Sequence, residues 1–291
     1  MRELQFGVNI RSAASWRDYQ RLVRRADELG FDVLAAPDHL GGLAPFSALT
    51  AAATMSKRLR LRTYVLNAGF WNAALLAREV ATLDLLSSGR AELGLGAGHM
   101  KSEHDDAGIP WLRAQERMQN LEDLLLETRR RLNAEGHEPP PVQRPVPIMV
   151  GAMSTAGLAI AAKHADVVGF SGLRQVKGEA PGTFTFVTAE ETAQRVSEVR
   201  AQAGGRSYRS DALLQVVAIG LQATDTAAEF AAMAPDRFSV DMLLETPFAL
   251  FARTPEEAAA ELRRRHEVYG FDCFTTHQPS MEALGQVIAV S

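Results

Sequence analysis

The segment Pro37-Asp38-His39 sets a carboxylate directly before an imidazole, at the end of a short apolar run. An imidazole so placed can hold or move a proton near neutral pH, and the acid beside it can orient or charge it. His99 follows the glycine-rich stretch Gly94-Leu95-Gly96-Ala97-Gly98 and leads into Met100-Lys101-Ser102-Glu103-His104. Another apolar run closes on Thr275-Thr276-His277. Histidines therefore recur where apolar runs end, which is where reactive side chains would converge. Each could instead be a structural histidine satisfied by its neighbours, and that alternative stays open for His104 and His277.

A second kind of site is suggested after Pro147-Ile148-Met149-Val150, where Gly151-Ala152-Met153-Ser154 precedes a helical pattern. A small-residue turn capped by Ser154 presents free backbone N–H groups. With the helix dipole they form an anion site, for which phosphate is the natural guest. Plain helix capping is equally compatible with these residues. The glycines at 94–98 do not make a dinucleotide fingerprint, because His99 stands where the third glycine belongs. They read better as positions that let a ligand approach closely, with a tight strand-to-loop turn as the alternative. No metal is expected. His99 and His104 are awkwardly spaced for one helical face, no cysteine lies near them, and Val8-Asn9-Ile10 supplies no paired histidines.

The elements that must carry these residues alternate. Strands are expected near 5–9, 32–36, 61–66, 91–95, 147–150, 165–169, 213–219 and 271–276. Several are continuous apolar runs, as parallel strands buried on both faces require. Helices are expected after a Ser15 cap and up to Gly30, and over 73–86, 114–133, 155–164, 188–203 and 255–269. In the last, Thr254-Pro255-Glu256-Glu257 combines a cap, a first-turn proline and acids at a helix start. Eight alternating β and α units predict a (β/α)8 TIM barrel, whose active site lies at the C-terminal ends of its strands. Residues 171–187, with Gly172, Gly178, Pro181 and Gly182, read as an insertion loop in an otherwise single domain spanning 1–291.

Bulk properties agree. The 291 residues suit one α/β barrel with insertions, and 46% hydrophobic with 23% charged residues is the balance of a globular enzyme. A net charge of −4 gives no electrostatic footprint for nucleic acid. The single Cys273 excludes an intrachain disulfide. Neither a signal-peptide core nor an apolar stretch long enough for a membrane span is evident, so a cytoplasmic location is expected.

Four stretches together resemble one family. They are Ala26-Asp27-Glu28-Leu29-Gly30-Phe31-Asp32 through Pro37-Asp38-His39; Ala77-Arg78-Glu79-Val80-Ala81-Thr82-Leu83-Asp84-Leu85-Leu86-Ser87-Ser88-Gly89-Arg90; Glu92-Leu93-Gly94-Leu95-Gly96-Ala97-Gly98; and Pro147-Ile148-Met149-Val150-Gly151-Ala152. Their order and spacing resemble the luciferase-like monooxygenase superfamily, and within it the oxidoreductases that use the deazaflavin coenzyme F420. The resemblance implies a barrel with the cofactor rings in its mouth and the cofactor phosphate on the turn at Gly151, Ala152, Met153 and Ser154. It implies a bulge with a non-prolyl cis peptide at Tyr64-Val65, flanked by Thr63 and Leu66, supporting the rings near Gly98. It maps a catalytic acid–histidine pair onto Asp38 and His39.

Two departures bear on the substrate. The sugar-phosphate dehydrogenases of the family carry tryptophan where this chain has Leu43, and glutamate where it has His99. A sugar phosphate is therefore not the expected substrate, and His99 joins the catalytic candidates. Leu43, Glu103 and His277 are candidate substrate contacts. Hydride transfer between F420 and a small organic substrate is the leading expectation. The alternatives are an FMN-dependent monooxygenase using reduced flavin and dioxygen, and a non-catalytic flavin-binding relative, against which the Asp38-His39 pair argues. A homodimer is the expected assembly.

Overall fold

The computed structural model describes residues 4–220 and 223–291. Eight parallel strands close into a barrel. They are β1 (Gln5–Asn9), β2 (Val33–Ala36), β3 (Arg60–Thr63), β4 (Ala91–Gly96), β5 (Ile148–Ala152), β6 (Val167–Phe170), β7 (Arg209–Leu214) and β8 (Cys273–His277). Each pairs with its sequence neighbours, and β8 closes on β1 with Asn9 opposite His277. The continuous apolar runs are buried on both faces, as read from the sequence: Val33 to Ala36 and Ile148 to Val150 are all buried.

The helices form the outer layer. α1 (Trp16–Glu28) starts at Ser15, whose hydroxyl accepts from Asp18 N at 3.2 Å. α2 (Pro45–Met55), α3 (Ala73–Ser87), α4 (Lys101–Ala107), α5 (Ala114–Leu132), α6 (Thr155–His164) and α7 (Ala189–Ala203) follow in order. α8 (Ala223–Ala232), α9 (Val240–Glu245), α10 (Pro255–Tyr269) and α11 (Met281–Ile288) complete them. In α10 the Thr254 hydroxyl accepts from Glu257 N at 3.2 Å and Pro255 opens the helix, as the cap signature predicts.

Two expectations are corrected. The single strand at 213–219 is two elements: β7 begins earlier, at Arg209, and ends at Leu214. Residues Val216–Ile219 then pair with Ala249–Ala252 in a separate two-stranded parallel sheet outside the barrel. Apolar residues flank Gln215 on both sides, and one polar residue in such a run does not mark a change of partner. The strand expected at 61–66 is also interrupted. β3 stops at Thr63, the Tyr64–Val65 bond is cis, and Leu66–Asn67 resumes pairing against Leu95 and Gly96 of β4. The cis bond stands where the family resemblance puts it. The insertion at 171–187 contains an antiparallel hairpin, Leu173–Gln175 with Phe184–Phe186.

The barrel interior holds charges that apolar patterning conceals. Arg62 is fully buried, its Nε donates to Glu92 Oε2 at 2.6 Å, and its guanidinium also pairs with Asp211. Asp211 further accepts from Thr275 Oγ1 at 2.9 Å and from the Tyr64 hydroxyl at 3.2 Å. Burial alone would push the Glu92 carboxyl up, but Arg62, Arg60 and Arg209 around it override this and hold it at about 2. Asp211 can thus sit in a buried strand because its partners Arg62, Thr275 and Tyr64 are buried with it.

Candidate active site

The C-terminal ends of the strands open into one cavity of about 1140 Å³, and all eight strand ends contribute to its wall. Asn9, Asp38, His39, Tyr64, Val65, Gly96, Gly98, His99, Glu103, Gly151, Ala152, Met153, Ser154 and His277 all line it. Most residues singled out in the sequence are therefore brought together. Three are not on the wall: Thr63, Leu43 and His104. Thr63 is buried, and its hydroxyl donates to Gly94 O at 2.9 Å, stitching β3 to β4 instead of facing a ligand. Leu43 is half-buried against the core, with its N–H donating to Arg11 O at 3.0 Å.

The glycines of β4 serve the interrupted strand first. A Cβ at Gly94 would strike the carbonyl oxygen of Thr63, and one at Gly96 would come within 2.6 Å of Val65 Cγ2. A Cβ at Gly151 would come within 3.0 Å of Val65 Cγ1. The three glycines leave the space that Val65 fills, so the bulge projects into the mouth. Only indirectly do they admit a ligand. Gly98, at φ +75°, turns the chain toward α4 against the Asn67 side chain.

The acid beside His39 in sequence is not its partner in space. His39 Nδ1 lies 2.8 Å from Glu103 Oε1, on the short helix α4. Asp38 turns away, and its Oδ2 accepts from Trp71 Nε1 at 2.9 Å and from Asn67 N at 3.2 Å. Burial raises the Asp38 pKa, opposed by those two hydrogen bonds and by the nearby His39. Sequence spacing could not find the His39–Glu103 pair, because the two residues belong to different strand-end segments.

His99 stands edge-on to His39, with ring centroids 5.3 Å apart, and Phe184 of the insertion hairpin packs 5.4 Å from its other side. Burial, then the proximity of His39, lowers its pKa to about 4. His277 is lowered to about 4 as well, by burial and by Arg11 and His39, and its Nε2 lies 3.3 Å from Gln215 Oε1. His104 is structural. Its Nε2 faces Asn67 Nδ2 at 3.0 Å, its Nδ1 faces Pro110 O at 3.2 Å, and its ring packs against Phe70 and Trp111. No group of side chains able to hold a metal ion occurs among the described residues.

At the opposite side of the mouth, Ser154 caps α6 by accepting from Gly157 N at 3.2 Å. Thr155 and Ala156 of the first turn line the cavity, and first-turn amides have no carbonyl one turn back to bond. A phosphate-bearing ring cofactor fits this arrangement. The anion end of such a cofactor would meet the helix N-terminus and its dipole, and the Val65 bulge and His39 lie in the same cavity.

The sequence pattern of luciferase-like monooxygenases matches residues 4–282. The chain belongs to this family. It is 28% identical to an F420-dependent glucose-6-phosphate dehydrogenase of Kribbella flavida, over 90% of this chain and 88% of the relative. A second such enzyme, from Amycolatopsis mediterranei, is 31% identical over 53% of this chain, and the match spans only 51% of that relative's length. Among solved structures, an F420-dependent secondary alcohol dehydrogenase in complex with an F420-acetone adduct superposes with a TM-score of 0.76 at 16% identity, covering 99% of both chains. The long-chain alkane monooxygenase LadA superposes at 0.73 with 17% identity, covering all of this chain and 91% of the other. At these identities the structures speak to the barrel fold alone. No helix among the described residues is long and apolar enough to cross a membrane.

Proposed function

We propose that this chain is an F420-dependent oxidoreductase that passes a hydride between the deazaflavin and a small organic substrate. The observation that carries the reading is a single cavity joining a capped helix N-terminus to an ionisable His39 across the Val65 bulge. Relatives named for F420 chemistry, one of them matching over nine-tenths of the chain, support the cofactor. When bound, the deazaflavin supplies a two-electron hydride acceptor or donor. The chain's own work is to hold the phosphate end at Gly151 to Ser154, to set the ring against Val65, and to move a proton through His39. His99, on the cavity wall where the resemblance implies a glutamate in the sugar-phosphate dehydrogenases, argues against a sugar phosphate as substrate.

A second reading is an FMN monooxygenase, favoured by membership of the luciferase-like monooxygenase family and by a phosphate site that would serve either cofactor equally. Titration of the purified protein with F420 and with FMN, followed by quenching of tryptophan fluorescence, tests the choice. Trp111 lines the cavity and reports directly. Tighter F420 binding supports the proposal. Tighter FMN binding, with oxygen uptake dependent on reduced flavin, replaces it with the second reading.

A further inference from the structure

The geometry points to Glu103 as the positioning residue of His39. It fixes the neutral imidazole as the Nδ1–H tautomer and so presents Nε2 to the cavity as a bare proton acceptor.

The two side chains come from different strand ends, His39 after β2 and Glu103 on α4 after β4, and meet at 2.8 Å. A carboxylate has no hydrogen to give, so the proton in this contact is on Nδ1. In a neutral ring the other nitrogen is then an acceptor. Nε2 has no hydrogen-bonding partner among the described residues, while the ring lines the cavity. The contact is shielded: the Glu103 side chain is 11% exposed and that of His39 24%. Asp38 cannot do this work, because its carboxylate is engaged by Trp71 and Asn67.

The meaning of this tautomer rests on the hydride-transfer reading. An alcohol substrate would give its hydroxyl proton to His39 Nε2. Its carbinol C–H bond would break with the electron pair leaving as hydride to the oxidised deazaflavin, and a carbonyl would form. The resulting imidazolium remains paired with Glu103, and the reverse direction returns the same proton from Nε2. A ring held with hydrogen on Nε2 would have no lone pair to offer in the first direction. Glu103 therefore prepares the base without touching the reacting atoms.

The test uses the full-length protein without cofactor, so it is independent of turnover. Long-range proton–nitrogen correlation spectra of the 15N-labelled imidazoles are recorded at about pH 8.5, well above the ordinary histidine value of roughly 6.5. The His39 signals are assigned by their loss in His39→Gln. The wild type is expected to show His39 in a single Nδ1–H form. Glu103→Ala is expected to shift it to the Nε2–H form that free side chains favour. Glu103→Gln keeps the shape and can accept or donate at Nδ1, so a mixture of the two forms is expected. If Glu103→Ala fails to fold, the Glu103→Gln result decides. An Nε2–H ring in the wild type, or an unchanged Nδ1–H ring in the folded variants, overturns the assignment. If no F420 chemistry is found, the tautomer result stands on its own. If the tautomer result fails, the cofactor titration is untouched.

Discussion

Asp38 Oδ2 and Trp71 Nε1 meet at 2.9 Å, and this bond ties the end of β2 to the segment that follows the cis Tyr64–Val65 peptide. The same oxygen accepts from Asn67 N, so one carboxylate holds the far side of the bulge in place. Asp38 thus shapes the mouth, while Glu103 touches the imidazole.

Removing that carboxylate should register as stability. Asp38→Ala leaves the Trp71 and Asn67 donors unpaired, at about 1–3 kcal/mol for each group that water cannot reach. Asp38→Asn keeps an acceptor and should stay within about 1 kcal/mol of wild type. Urea unfolding midpoints of the two variants compare them directly. Equal losses would show that the charge, and not the acceptor, is what the fold uses.

His39→Ala should lower turnover by about 10²–10⁴-fold, the usual contribution of a proton-transfer group, while F420 affinity changes only a few-fold. His99→Ala is the control, since burial keeps that ring neutral at working pH and its neighbours are His39 and Phe184. Both are compared in the same assay of cofactor reduction. Near wild-type turnover in His39→Ala with loss in His99→Ala would move the proton chemistry to the end of β4.

Ser154→Asp separates capping from anion binding. Aspartate caps a helix about as well as serine, so α6 and the thermal midpoint should be preserved. Its charge, however, stands where the cofactor phosphate would approach. F420 binding should weaken at least tenfold, roughly 1.4 kcal/mol. Undiminished affinity in the folded variant would place the phosphate elsewhere.

The two depressed histidines make stability depend on pH. His99 and His277 titrate near 4 in the folded protein against 6.5 ordinarily. Between those values the unfolded chain binds protons that the fold refuses, so stability falls as pH drops from about 6.5 toward 4. Each residue contributes on the order of 3 kcal/mol at the low end. Urea midpoints at pH 7, 5.5 and 4.5 should fall in sequence, and a His99→Gln, His277→Gln double variant should flatten the slope. An unchanged slope would assign the acid sensitivity to other groups.

Arg62→Met should be among the most damaging single changes outside the mouth. It leaves Glu92 and Asp211 buried without their central cation, a loss of about 3–5 kcal/mol. Calorimetry of the variant measures it. A loss below about 1 kcal/mol would mean that Arg60 and Arg209 compensate for Glu92 and that Asp211 takes up a proton.

Much of the barrel was legible because several of its strands are continuous apolar runs and its helices carry explicit caps at Ser15, Ser154 and Thr254. The position of the cis bond was legible only through family resemblance, since nothing in Tyr64 or Val65 alone dictates it. The strand that changes sheets at Gln215 was not legible, because both halves are apolar and the choice of partner is tertiary. The short helices α4, α8, α9 and α11 and the longer α2 were also not read. The convergence of His39, His99 and His277 followed from strand ends, whereas the Glu103 contact depends on how α4 leaves Gly98. The Arg62 network was invisible for a similar reason: a buried charge is recognised only when its partners are known.

The departure of the chain from the barrel at Gln215 also bears on how this protein could diversify. Gln215 donates to Ser171 O at 2.8 Å and faces His277, so one wall of the mouth hangs from the junction between the barrel and the outer sheet of 216–219 with 249–252. Insertions or deletions between those two outer strands would tilt that wall without breaking a rung of the eight-stranded cylinder. If the proposed function holds, substrate range could therefore drift through the appended sheet while the Gly151–Ser154 turn, proposed to hold the cofactor phosphate, stays unchanged.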